Sequence, residues 1–75
     1  MNNLEARLEK CFTAVFPELQ GDRIASASME SLPEWDSIAH VTLIEVIQQD
    51  FGILVEDDEL DRLTSYRAWV ARLRN

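Results

Sequence analysis

The chain has few of the residues that build covalent or metal frameworks. Its 75 residues include one cysteine, Cys11, two glycines and two prolines. A single cysteine excludes an internal disulfide and any site built on paired cysteines. Scarce glycine and proline, with 47% hydrophobic residues, are typical of a folded helical domain rather than a disordered tail. The length predicts one domain, residues 1–75, with a core too small to surround a deep catalytic cleft.

Long apolar segments are also missing. No run reaches the roughly 18 apolar residues that a membrane-spanning helix needs, so we expect no span. The first ten residues, MNNLEARLEK, are polar and charged and lack the apolar centre of a signal peptide. We therefore expect a cytoplasmic protein.

Basic residues are absent from the middle of the chain. No Lys or Arg lies between Arg23 and Arg62, whereas ten acidic residues do, and the net charge is −7. This balance argues against a nucleic-acid partner and favours basic protein surfaces, although a merely solvated acidic surface would look the same. The acidic run over 57–61 lacks the glycine and alternating spacing of a calcium loop, so we expect no dedicated metal site.

Apolar residues at helical spacing predict a first and a last helix. The first starts at a cap formed by Asn2 or Asn3 and ends at Phe16, before a proline. Cys11 lies on its apolar face and is expected to be a buried small hydrophobe. The last helix starts near Thr64 or Ser65, either of which can cap it.

The middle of the chain predicts a long loop and a second main helix. Residues 17–36 show no sustained period, although they have room for a short helical turn. The helix over 37–51 is bounded by Asp36 as N-cap and Gly52 as stop. Ile38 and Val46 fall outside its apolar face. The residues expected to form the core side are Val41, Leu43, Ile44, Ile47 and Phe51.

The segment between the second and last helices completes an all-α fold. Residues 53–55 are too few to assign as a strand or a buried connector, and the acidic run 56–61 predicts a short third helix. The expected architecture is thus a four-helix bundle with three main helices, one short third helix and a long first loop.

The segment EWDSIAH at 34–40 carries the most specific signal. An Asp-Ser pair followed by an aliphatic residue, opening a helix after a long loop, resembles the phosphopantetheine-attachment motif of acyl and peptidyl carrier proteins. The downstream apolar positions, the acidic short helix and Leu63-Thr64 continue the pattern over essentially the whole chain. The resemblance implies the acyl-carrier-like form of the four-helix bundle.

The resemblance implies a carrier and not an enzyme. Ser37 would receive 4′-phosphopantetheine from coenzyme A through a phosphopantetheinyl transferase, and Asp36 would cap the helix and support that enzyme. A helix N-terminus suits the resulting phosphodiester. The alternative for Asp36 and Ser37 is plain helix capping. His40 shares a helix face with Ser37, but a Ser-His nucleophilic pair would lack an orienting third group.

The implied function is to hold acyl intermediates as thioesters and present them to acyl-loading and acyl-using enzymes with basic patches, as in fatty acid or polyketide biosynthesis. The cargo would be sheltered between helices, and the carrier is expected to be a monomer. The candidates for partner recognition are Trp35, Ile38, His40, Thr42 and Glu45. Trp35 has a second interpretation, in which it anchors the loop, and His40 is expected at the surface or half-buried.

Two alternatives remain: a peptidyl or aminoacyl carrier, and an unmodified helical adaptor with the carrier fold. Carriers of central fatty acid synthesis present acids just after the serine, where this chain has Ala39 and Thr42, and it has Glu45 where they have an apolar residue. We therefore expect a specialised pathway.

Overall fold

The structure is a computed structural model that describes residues 3–74. Helix α1 covers Asn3–Val15 and stops just before the position that Pro17 disfavours. Asn3 is therefore the first described helical residue, and Asn2, the other predicted cap, lies outside the described residues. Leu8 and Phe12 are fully buried on the apolar side of α1, as the helical spacing predicts.

The first loop contains a helical turn of its own, α2, at Asp22–Ala25. The chain enters this turn through Gly21, whose φ of 62° lies in the left-handed region that favours glycine. Further on, an antiparallel bridge pairs Ser28 with Ser65, immediately before the last helix. The loop is thus attached to the bundle by backbone hydrogen bonds as well as by its buried side chains.

Helix α3 covers Ser37–Phe51, as the sequence predicts. It ends at Gly52, whose φ of 65° forms a left-handed C-cap. Two predictions about its faces are wrong. Val41 is 55% exposed, and Val46 is half-buried against the core.

The buried face of α3 includes a residue that the apolar pattern omitted. His40 precedes Leu43, Ile44 and Ile47 by three, four and seven residues, so it shares their face and is buried with them. The spacing of apolar residues alone predicts Val41 on this buried face in place of His40. Phe51, also predicted for the core, is half-buried beneath the guanidinium of Arg7, 4.4 Å from its ring centre.

The acidic segment forms a single 3₁₀ turn, Asp57–Glu59, and not the predicted helix over 56–61. In a longer helix Asp57 and Asp61 would stand four residues apart, where like charges repel. Before this turn, residues 53–55 form no strand. Val55 is buried, and its N–H donates to Gln48 Oε1 at 2.7 Å.

Helix α4 covers Tyr66–Arg74, and Ser65 caps it by accepting the Ala68 N–H at 3.1 Å. Its Trp69 packs with α1 and α3 in one core, so the described fold is all-α, with α1, α3 and α4 as main helices. No helix within residues 3–74 has the length and apolar character to cross a membrane.

Cys11 lies in the interior of this bundle, as predicted. It is buried and free, and burial, with a smaller contribution from Asp50, raises the pKa of its thiol. A buried thiol with a raised pKa behaves as a small apolar side chain.

Candidate functional site

Ser37 is the first residue of α3 and is exposed to solvent. Asp36 precedes it in an extended conformation and caps the helix, since its Oδ1 accepts the Ala39 N–H at 2.9 Å. The N–H groups of Ser37 and Ile38 have no intrahelical acceptor, as in the first turn of any helix. Ser37 Oγ forms no hydrogen bond within the described residues, so its hydroxyl is open to an external reagent.

Trp35 fixes the chain immediately before this helix start. Its side chain is 1% exposed. Its ring packs edge-on against Phe12, with ring centroids 5.5 Å apart, and against Phe16, with centroids 5.8 Å apart. The Trp35 Nε1–H donates to His40 Nδ1 at 3.0 Å. The loop before Ser37 and the first turn after it are therefore joined by one buried hydrogen bond.

His40 extends this connection to the acidic turn. Its Nε2 lies 2.9 Å from the carbonyl oxygen of Leu60. Because an indole N–H can only donate, Nδ1 of His40 must accept, and its ring hydrogen is then on Nε2, where it donates to Leu60. Both ring nitrogens are engaged, so His40 is not available as a base for Ser37.

The burial of these two side chains corrects their expected roles. His40 is 9% exposed, so the prediction of a surface or half-buried residue is wrong, because its two hydrogen bonds satisfy it inside the core. Neither His40 nor Trp35 has enough exposed surface for direct partner recognition. For Trp35, the loop-anchoring interpretation agrees with the structure.

The exposed side of α3 next to Ser37 is largely apolar. Ile38 is 80% exposed, as predicted, and Val41, one turn further on, is an exposed residue that the sequence analysis missed. Thr42 and Glu45 are exposed beside them, and Thr42 Oγ1 donates to the Ile38 carbonyl at 3.1 Å. Because Val41 lies four residues after Ser37, the two share one side of α3, and the exposure of Val41 could have been predicted from this spacing.

The acids close to Ser37 remain unpaired, whereas several distant acids are paired. Glu34, Asp36 and Glu45 form no ion pair within residues 3–74. Farther away, Glu59 accepts hydrogen bonds from the Glu56 N–H and from Arg72, and these lower the pKa of its carboxyl, the backbone bond most. The negative field around Ser37 is therefore not neutralised by the chain's own arginines.

No group of three His, Cys, Asp or Glu residues suited to a metal ion occurs in the part of the chain that the structure describes.

A cavity of about 230 Å³ lies beside the first turn of α3. It is bounded by the end of α1, the first loop and Ala39, which is half-buried. Its apolar lining is Val15, Phe16, Pro17, Leu19, Leu32 and Ala39, and its charged lining is Glu18, Arg23 and Glu34. No sequence pattern predicts this cavity, because its lining residues are ordinary helix and loop positions that meet only in the fold.

Comparison with known proteins finds no relative: no family model, no curated protein and no solved structure matches the chain.

Proposed function

We propose that the protein is a stand-alone carrier that holds acyl intermediates as thioesters on a 4′-phosphopantetheine arm attached to Ser37. The observation that carries the proposal is an exposed serine hydroxyl at a capped helix start, held between two buried anchors, Trp35 and His40. The resemblance of the 34–40 segment to carrier motifs supports it. So do the all-α fold, with α1, α3 and α4 as main helices, and the long loop before α3.

The residues around Ser37 fit a phosphodiester-linked arm. The free N–H groups of the first turn and the positive end of the α3 dipole favour an anion beside Ser37. Attachment forms a bond from Ser37 Oγ to phosphorus and breaks the pyrophosphate bond of coenzyme A, which releases adenosine bisphosphate. The hydroxyl proton passes to a base on the transferase, because His40 is already engaged. The attached arm supplies the terminal thiol on which acyl groups are held.

The chain's own residues hold and present the attachment point. Asp36 fixes the first turn of α3 and keeps a negative charge beside Ser37 for the transferase to recognise. Ile38 and Val41 offer an exposed apolar surface next to the arm, and the unpaired acids around it attract basic partner surfaces. In this role the chain itself catalyses no reaction.

Intact mass after incubation with coenzyme A and a phosphopantetheinyl transferase tests the proposal. We expect the unmodified protein to gain one phosphopantetheine, Ser37→Ala to gain none, and the control Ser26→Ala, at another exposed serine, to gain one. No gain by the protein with Ser37 in place would refute the carrier function and favour an unmodified helical adaptor. A gain that survives Ser37→Ala would refute the proposed attachment at Ser37.

We further propose that the carrier serves a specialised pathway. At the positions where carriers of central fatty acid synthesis are expected to present acids, this α3 has Ala39 and Thr42, and its first exposed acid after Ser37 is Glu45. Of these two positions, Ala39 is half-buried beside the cavity, so only Thr42 lies on the exposed side of α3. Charge patterns at an interface rim control encounter and partner choice.

Elongation of the malonyl-loaded protein by housekeeping condensing enzymes tests this proposal. We expect slow elongation, and we expect Thr42→Glu to raise the rate by adding an acid close to Ser37. The control Gln49→Glu adds the same charge about 18 Å along the helix from Ser37 and should have little effect. Efficient elongation of the unmodified sequence would contradict the specialised role.

A further inference from the structure

We propose that the cavity beside Ala39 holds the acyl group carried by the protein, and that it takes short, uncharged groups up to about the size of a benzene ring. This inference rests on the proposed carrier function and adds the chemical class of the cargo. It follows from where the cavity lies, how large it is and which charges surround it.

The cavity opens next to the attachment point. Ala39 lies two residues after Ser37 in the first turn of α3, about 3 Å along the helix axis. The two residues lie on different sides of that turn, so a group tethered to Ser37 reaches the cavity over the free end of the helix, past Asp36. Between the main helices, the fully buried side chains of Leu8, Leu43 and Ile47 occupy the interior.

The size of the cavity limits the cargo. A volume of about 230 Å³ exceeds the roughly 150 Å³ of an apolar cavity that accommodates benzene. Phe16, Leu19 and Leu32 are buried beneath it and belong to the packed core, so the cavity does not continue inward. A long acyl chain would therefore leave most of its carbons in water. A short acyl group can bury a larger fraction of its apolar surface there than a long chain can.

The charges around the cavity disfavour anionic cargo. Glu18 and Glu34 line it against one guanidinium, that of Arg23, and none of the three forms an ion pair within residues 3–74. The local charge is therefore negative, as is the charge of the whole chain. A cargo that ends in a carboxylate would be repelled, whereas an uncharged group of equal length would not.

Methyl NMR of the holo protein, loaded by a transferase from acyl-coenzyme A, tests the inference. A benzoyl group should shift the methyl signals of Val15, Leu19 and Leu32 through its ring current. Butanoyl should shift them less, and succinyl, with the same carbon count and a terminal carboxylate, should leave them as in the unacylated holo protein. Tetradecanoyl should shift them no more than hexanoyl does. The exposed Leu54, outside the cavity lining, is the control methyl.

A filled cavity provides a second test. Ala39→Leu should abolish the benzoyl-induced shifts, whereas Ala14→Leu, at an exposed position of α1 that does not line the cavity, should preserve them. Should Ala39→Leu fail to fold, the comparison of cargoes on the protein with Ala39 in place decides whether the cavity holds the acyl group. Unshifted cavity methyls in a protein shown by mass to carry benzoyl at Ser37, or shifts at Leu54 instead, would overturn the inference and leave the carrier function standing. Failure to load at Ser37 would refute the carrier function itself.

Discussion

Trp35 and His40 show how single residues hold the attachment point in place. Trp35 occupies the aromatic cluster of Phe12 and Phe16, while its indole N–H donates to His40. A buried acceptor left without its donor costs about 1–3 kcal/mol. The hydrogen bond therefore fixes the direction in which the chain enters α3, and with it the position of Ser37.

We expect Trp35→Phe to lower the free energy of unfolding by more than Trp69→Phe does. Both tryptophans are buried, and both substitutions remove the same atoms, but Trp69 Nε1 has no hydrogen-bond partner among residues 3–74. The difference between the two variants should be about 1–3 kcal/mol, since only Trp35→Phe leaves His40 Nδ1 unsatisfied. Urea unfolding measures both. Equal losses would show that the Trp35–His40 hydrogen bond contributes nothing net.

At the scale of elements, a capping box orders the acidic turn and an ion pair joins it to α4. The Glu56 side chain accepts the Glu59 N–H and the Glu59 side chain accepts the Glu56 N–H, and Arg72 on α4 pairs with Glu59. The Glu56 N–H and, second, Arg72 lower the pKa of the Glu59 carboxyl. A lowered folded-state pKa means that Glu59 stabilises the protein at neutral pH and loses this contribution as the pH falls through the folded-state value.

We expect Glu59→Gln to be less stable than the unmodified protein at neutral pH and to approach it on acidification below about pH 4, the ordinary range of a glutamate. Urea unfolding at a series of pH values measures this convergence. Glu45→Gln removes the same charge from an exposed residue without an ion pair in the described chain, and it should not reproduce the convergence. A Glu59→Gln curve parallel to that of the unmodified protein would contradict the prediction.

The elements of this fold differ in how far the sequence predicts them. The bounds of α3 follow from local chemistry, a carboxylate cap at Asp36 and a left-handed glycine at Gly52, and both were predicted. The burial of His40 was not predicted, because it depends on hydrogen bonds to Trp35 and to the Leu60 carbonyl. The exposure of Val41 was not predicted either, although its spacing of four residues from the exposed Ser37 indicates it. The cavity beside Ala39 could not be predicted either, since α1, the first loop and α3 form it together.

At the scale of the whole molecule, arginines from both ends of the chain pair with dispersed acids. Arg7 pairs with Asp50 across α1 and α3, and Arg74 pairs with Glu5 across α4 and α1. Arg72, also on α4, pairs with Glu59 of the acidic turn, while Arg62, before that helix, lies 3.9 Å from Asp58. Such exposed pairs each contribute about 0–1 kcal/mol.

Added salt is expected to raise the melting temperature at neutral pH. Salt weakens both the ion pairs and the repulsion among acids. Within residues 3–74 the pairs are few, and all except Arg72–Glu59 are exposed, whereas the net charge is −7 and ten acids lie between Arg23 and Arg62. Screening by salt should therefore stabilise the protein more by reducing repulsion among the acids than it destabilises the protein by weakening the ion pairs. Millimolar Mg²⁺ or Ca²⁺ should raise the melting temperature more than NaCl of equal ionic strength, through loose association with the acidic segment.

Charge-removing variants identify where this repulsion acts. Asp61→Asn removes an exposed acid from the acidic segment and should reduce the rise in melting temperature that salt or Mg²⁺ produces. Glu9→Gln removes the same charge from the exposed side of α1, outside the 23–62 stretch, and should leave the rise nearly unchanged. Thermal melts followed by circular dichroism measure both. A melting temperature insensitive to salt and Mg²⁺ would show that the acids are well dispersed or already balanced by the four ion pairs of residues 3–74, because repulsion that salt cannot relieve does not limit stability.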